Sequence, residues 1–88
     1  MTVYLNGNAM VSREAAHDHL AKELNLPDYY GRNLDALHDC LSAISEPTHL
    51  ILENWQAAEE NLERYASLIR TVLLHTEAEN IHFRISFQ

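Results

Sequence analysis

The stretch His49-Leu50-Ile51-Leu52-Glu53 decides the fold. It is short, apolar at its centre and bounded by turn signals, which predicts a strand buried on both faces, as in a parallel sheet. Upstream, Asn33 is placed to cap a helix whose Leu34, Leu37, Leu41 and Ile44 recur at i, i+3, i+7 and i+10, with Cys40 flanking the same side. Glu46-Pro47 stops that helix. Downstream, Asn54 to about Ala78 contains neither Gly nor Pro, and Trp55, Ala58, Leu62, Tyr65, Ile69, Val72 and Thr76 alternate spacings of three and four. This predicts helix throughout. At about 1.5 Å per residue it would run about 36 Å, longer than a domain of this size is wide, so a break into two helices is expected near Asn61 to Tyr65.

The remaining elements complete an alternating pattern. Thr2 to Leu5 predicts a strand closed by the Asn6-Gly7 turn, and Ser12 caps a helix over Arg13 to Leu24 with Ala16, Leu20 and Leu24 as its apolar stripe. Leu26-Pro27 is expected to end it, because the residue before proline avoids the α region. Ile81, Phe83, Ile85 and Phe87 alternate with His82, Arg84 and Ser86, the period of a half-buried strand over Ile81 to Phe87. Strands separated by helices imply an α/β fold: a three-stranded parallel sheet with three to four helices packed on it, in one domain spanning residues 1–88.

Composition narrows the function. The 88 residues carry 6 Lys plus Arg against 13 Asp plus Glu, a formal charge of −7, and no basic block supplies the footprint of a nucleic-acid binder. An anionic membrane surface would repel the chain, and no apolar run approaches the length of a membrane span. The partner expected is cationic or neutral. Cys40 is the only cysteine, so an internal disulfide is excluded and no CxxC unit is available for zinc or redox work. The N-terminus shows no basic region, apolar core or cleavage site of an export signal, which predicts a cytoplasmic protein.

The acidity is concentrated. Residues 28–46 hold Asp28, Asp35, Asp39 and Glu46 against Arg32, a net of −3, and residues 53–63 hold four glutamates against no cation. On the helix after Asn33, Asp35, His38, Asp39, Ser42 and Glu46 line the face opposite the leucines, ordinarily a solvated face. Asp35 lies in the first turn, where the helix dipole favours a carboxylate. Asp39 lies beyond that turn, and as an i, i+4 like-charge pair with Asp35 it costs about 0.2–0.5 kcal/mol of helix stability. Asp35, His38 and Asp39 could hold a divalent cation, but three ligands on one helix converge poorly without another from elsewhere. His17 and His19 point different ways, and His49, His75 and His82 show no ligand spacing, so neither a metal nor a cofactor is expected. Cys40 and Trp55 read as core residues. Tyr29 and Tyr30 share a loop beside the acidic face with Gly31, a position expected to need glycine's backbone freedom, and Tyr30 is the one assigned to the core.

The segment from Leu26 through Leu41, Leu-Pro-Asp-Tyr-Tyr-Gly-Arg-Asn-Leu-Asp-Ala-Leu-His-Asp-Cys-Leu, resembles the signature of the barstar family of small intracellular inhibitors of secreted barnase-type ribonucleases. The family's fold agrees with the periodicity. The resemblance implies occlusion rather than catalysis: the helix and its preceding loop plug the active site of a ribonuclease, with carboxylates in place of RNA phosphates. Carried onto this chain, Asp39 is the principal phosphate mimic and Asp35 a second carboxylate at the basic cleft. Tyr29 stacks on the catalytic histidine, while Gly31 and Asn33 supply backbone and polar contacts at the rim. His38 and Ser42 complete the expected partner-binding face.

Two positions depart from the family's prototype. His38 stands where the prototype has tryptophan, which exchanges apolar area for a group able to titrate between two aspartates. A glutamate from the prototype's last helix aligns with about His75, so one acidic contact is expected to be missing. The implied partner is a cognate secreted or toxin ribonuclease with a basic cleft, bound by a protein that is monomeric when free. The rival readings are an adaptor of the same fold that binds a non-nuclease protein, and a metal-dependent enzyme using Asp35, His38 and Asp39.

Overall fold

A computed structural model describes residues 1–88. Strand β1 (Thr2–Asn6) leads through a 3-10 turn (Gly7–Ala9) to helix α1 (Arg13–Glu23) and then α2 (Leu34–Ser42). Strand β2 (Thr48–Glu53), helices α3 (Trp55–Leu62) and α4 (Arg64–Glu79), and strand β3 (Phe83–Phe87) follow. All three strands are parallel, with β2 central. The architecture is the α/β arrangement the periodicity predicts, with four helices.

The register places Val3, Leu50 and Ile85 side by side, and likewise Leu5, Leu52 and Phe87. These residues point to one face. There Val3, Leu5, Leu50, Leu52 and Phe83 join Ala16, Leu20, Leu37, Leu41, Trp55, Ile69 and Leu73 from the helices in a single buried cluster. The other face is not sealed. Tyr4 is 56% exposed, and its neighbours Ile51 and Ser86 are only half-buried. The expectation that β2 is buried on both faces is therefore corrected: Thr48, Leu50 and Leu52 are buried, while His49 and Ile51 are half-buried. The four helices cover one side of the sheet and leave the other to its own polar groups, such as the His49 Nε2 to Ser86 Oγ bond at 2.8 Å.

Local chemistry accounts for the element ends. The Ser12 side chain accepts from Ala15 N–H, and Glu14 sits in the first turn of α1. That helix ends at Glu23 with Leu24 as its C-cap, within one residue of the expected end, and the local cause is Asn25, which adopts a left-handed φ of 52° ahead of Leu26-Pro27. Leu26 N–H then reaches Ala21 C=O at 2.9 Å and Asn25 N–H reaches Lys22 C=O at 3.3 Å, the paired bonds of a Schellman end. The expected break in the long helical stretch falls at Glu63, with φ 54° and ψ −122°. An unbroken helix of about 36 Å would exceed the longest extent of the chain, 32 Å. Strand β3 begins at Phe83, and Ile81 is 91% exposed instead of in the strand. Asn80 turns the chain there: its Oδ1 accepts His82 N–H and its C=O accepts Phe83 N–H.

The sequence pattern does not mark every core residue: Met10, Ala66 and Leu73 are fully buried outside the expected stripes, and a histidine joins them. His17 is buried at 2% exposure, with Nδ1 2.5 Å from Tyr30 Oη and Nε2 2.7 Å from Tyr65 Oη. A neutral imidazole offers one donor and one acceptor, so both ring nitrogens are satisfied. Burial, aided by the positive charge of Arg32, lowers its pKa below the usual histidine value. His19, whose Nε2 accepts Asn6 N–H, is shifted in the same direction by burial. The unfolded chain therefore binds more protons than the folded one as pH falls through about 6.5, and stability drops over that range. Denaturant midpoints should be flat above about pH 7 and decline below about 6.5, with a smaller decline in His17→Gln. An undiminished decline in that variant would assign the proton uptake elsewhere.

Candidate functional face

The loop before α2 separates two adjacent tyrosines by function. Tyr30 N–H bonds Pro27 C=O and its ring inserts against His17, so it is buried, while Tyr29 is turned out and 85% exposed. Burial pushes the Tyr30 phenol upward, which keeps it protonated beside the imidazole. Arg32 carries the left-handed backbone of this loop, φ 53°, correcting the assignment of that role to Gly31. Gly31 instead answers crowding: a Cβ there would lie 3.2 Å from Asn33 Nδ2 and 3.3 Å from Ala36 Cβ.

Asn33 caps α2 as predicted, accepting Ala36 N–H at 2.7 Å, and its amide donates to Gly31 C=O at 3.2 Å. Those two bonds tie loop to helix. The helix ends at Ser42, before the Glu46-Pro47 stop, and its last carbonyls are taken by a distant side chain. Asn80 Nδ2 donates to Leu41 C=O and to Ile44 C=O, each at 3.0 Å. With Leu37 and Leu41 fully buried, α2 is held along its length and at both ends.

The opposite side of α2 is open. Asp35, Asp39 and Ser42 are exposed, and neither carboxylate has a cation within 4.0 Å. The one basic residue of the segment is engaged elsewhere, since the Arg32 guanidinium pairs with Asp18 of α1. Asp39 and Tyr29 share the walls of a shallow groove with Leu24, Leu26, Pro27 and Ile44. Cys40 lies in the same groove, half-buried, and its thiol is pushed upward by burial and by the charge of Asp39, which disfavours the thiolate.

His38 does not sit between the aspartates. Its Nε2 lies 3.0 Å from Glu79 Oε1 and 3.4 Å from Ser42 Oγ, and its ring meets that of His75 edge-on at 5.6 Å. His75 Nε2 lies 2.9 Å from the same Glu79 oxygen. The hydrogen bond from His38, outweighing the small desolvation effect, and the nearby imidazole of His75 lower the Glu79 pKa. The trio Asp35, His38 and Asp39 does not converge; the one group of three metal-ligating side chains brought together is His38, His75 and Glu79. Sequence spacing among the histidines assigns His75 no ligand partner, although Glu79 stands at i+4 from it.

No helix is long and apolar enough to cross a membrane. Comparison with known proteins adds two findings. The family model described as Barstar (barnase inhibitor) matches residues 1–88. A curated relative from Bacillus subtilis (strain 168), named "Putative ribonuclease inhibitor YrdF", is 37% identical over 78 residues, covering 88% of this chain and 86% of that protein. The signature segment, the three-stranded parallel sheet and the full-length family match agree, and the chain belongs to the barstar family.

Proposed function

We propose that this protein inhibits a cognate basic ribonuclease by occupying its active site with the Tyr29–Ser42 face. The observation that carries the reading is the pair Asp35 and Asp39, two uncompensated carboxylates on a rigid helix beside a solvent-facing Tyr29. Carboxylates spaced along one helix face can stand where RNA phosphates lie and meet the arginines and lysines that bind them. In this reading Asp39 is the principal mimic, Asp35 the second, and Tyr29 stacks on a ring of the enzyme. Gly31, Asn33, His38 and Ser42 complete the contact surface. Glu79 offers a carboxylate beside His75, close to where the resemblance implies that a glutamate of the family's prototype is missing. The protein performs no catalysis, acts as a monomer in the cytoplasm, and excludes RNA from the enzyme without binding RNA itself.

The second acidic group, Glu53, Glu59, Glu60 and Glu63, has charge without an exposed aromatic beside it, since Trp55 and Tyr65 are buried, and its role is to steer a basic partner inward. Affinity capture with the immobilised protein, followed by an RNase assay, tests the proposal. The expected result is a basic nuclease whose activity falls to zero at one equivalent of inhibitor, with association slowed by added salt. A captured partner lacking nuclease activity would replace the inhibitor by the adaptor reading.

A further inference from the structure

We infer that His38, His75 and Glu79 form a binding site for a divalent late first-row metal ion such as Zn²⁺. This inference stands on the residues themselves and does not depend on the inhibitor reading. The three donor atoms, one from α2 and two from α4, lie within 4.8 Å of one another. His75 and Glu79 are one helical turn apart, the i, i+4 spacing by which a helix presents two ligands to one ion. His38 supplies what a single helix lacks, a third ligand from a second direction.

The present contacts are one rearrangement away from coordination. Both imidazole Nε2 atoms are gathered around Glu79 Oε1, at 3.0 Å and 2.9 Å. Tetrahedral zinc with bonds of about 2.0–2.1 Å needs its ligand atoms about 3.3 Å apart, so modest side-chain rotation places the ion where the hydrogen bonds now meet. In the bound state each imidazole carries its proton on Nδ1 and offers the Nε2 lone pair to the ion, and Glu79 coordinates through a carboxylate oxygen. The backbones that carry the ligands are already tied together, because Asn80, the residue after Glu79, bonds the carbonyls of Leu41 and Ile44 beyond His38. Such preorganisation lowers the cost of bringing α2 and α4 to the metal.

Two imidazoles and one carboxylate select zinc, nickel or copper over magnesium and calcium, which prefer an all-oxygen shell. His75 and Glu79 are exposed, so the fourth coordination position opens to solvent. It is available to water or to a side chain of another molecule. A cation there would also neutralise part of the charge on the α2 side of the molecule.

Titration calorimetry with ZnCl₂ at neutral pH tests the site. The parent should bind one equivalent in the micromolar range and no Mg²⁺, and zinc should raise its unfolding midpoint. His38→Gln and His75→Gln should each weaken binding by at least about tenfold, whereas His82→Gln and Asp35→Asn should leave it unchanged. Circular dichroism verifies that each variant is folded. As a measurement free of substitution, zinc should move the ring signals of His38 and His75 in the NMR spectrum and leave those of His49 and His82. Binding weaker than millimolar would overturn the inference. So would retention of parental affinity in the His38→Gln/His75→Gln double variant, or loss of binding in Asp35→Asn.

Discussion

Replacing Asp39 by alanine is expected to weaken the complex with the captured ribonuclease by about 2 to 5 kcal/mol, the general consequence of leaving an opposing charge buried and unpaired. The dominance of this one residue is what the family resemblance implies. What the structure contributes is the state of the carboxylate before binding: exposed, without a cation in reach, and mounted on a helix fixed at both ends. No internal ion pair must be broken to use it. The loss should appear mainly as faster dissociation. Folding stability should move the opposite way, rising by a few tenths of a kcal/mol, because the repulsion with Asp35 disappears and alanine favours the helix. Weaker binding with unimpaired folding marks a residue kept for contact. Parental affinity in Asp39→Ala, measured by calorimetry against the same enzyme, would reject the proposed face.

The largest expected effect on folding lies at Gly7. A Cβ at this position would stand 2.0 Å from the backbone oxygen of Asn54, 2.9 Å from its carbonyl carbon and 3.1 Å from Ala58 N. All three are backbone atoms, so no rotamer change relieves the contact. The neighbourhood is also pinned, since Asn6 Oδ1 accepts from Asn8 N–H at 2.9 Å and from Asn54 Nδ2 at 3.0 Å. Gly7→Ala must push β1 and its 3-10 turn away from the start of α3. A destabilisation of about 3 kcal/mol or more is expected, a large share of the roughly 5–15 kcal/mol that holds a typical domain together. Gly31→Ala should cost less, about 1 kcal/mol, because its Cβ would meet Asn33 Nδ2 at 3.2 Å and Ala36 Cβ at 3.3 Å, contacts that need an adjustment of tenths of an ångström and not the displacement of a backbone oxygen. Denaturant unfolding of the two variants checks the contrast, and equal losses would contradict it.

These two glycines show where sequence reading reached its limit. Gly7 stands out in the Asn6-Gly7 turn and Gly31 beside the two tyrosines, yet the backbone freedom expected of Gly31 belongs to Arg32, and Gly7 is needed for a contact with a residue 47 positions away. The elements were legible because their causes are local. Ser12 and Asn33 cap the helices they precede, and the three-and-four spacing of Trp55 through Thr76 marks the buried side of α3 and α4. The length of that run even implied the break that Glu63 supplies. Tyr29, Asp35 and Asp39 were legible as candidates through the signature segment, and the structure adds that Tyr30 turns inward as expected.

What the sequence determined by itself is the set of elements, their order and the exposed stripe of α2, since helix caps and periodicity depend on residues within four positions of one another. Only the tertiary structure decided that the helices cover one face of the sheet, so that Tyr4 stays in water. Only it paired His17 with Tyr65 across 48 positions and His38 with Glu79 across 41. Histidine carries no periodic signal that announces its partner. Its chemistry is set by whichever groups the packed chain brings to its two nitrogens, and here packing makes one histidine a neutral core residue and turns another from the acidic stripe toward α4.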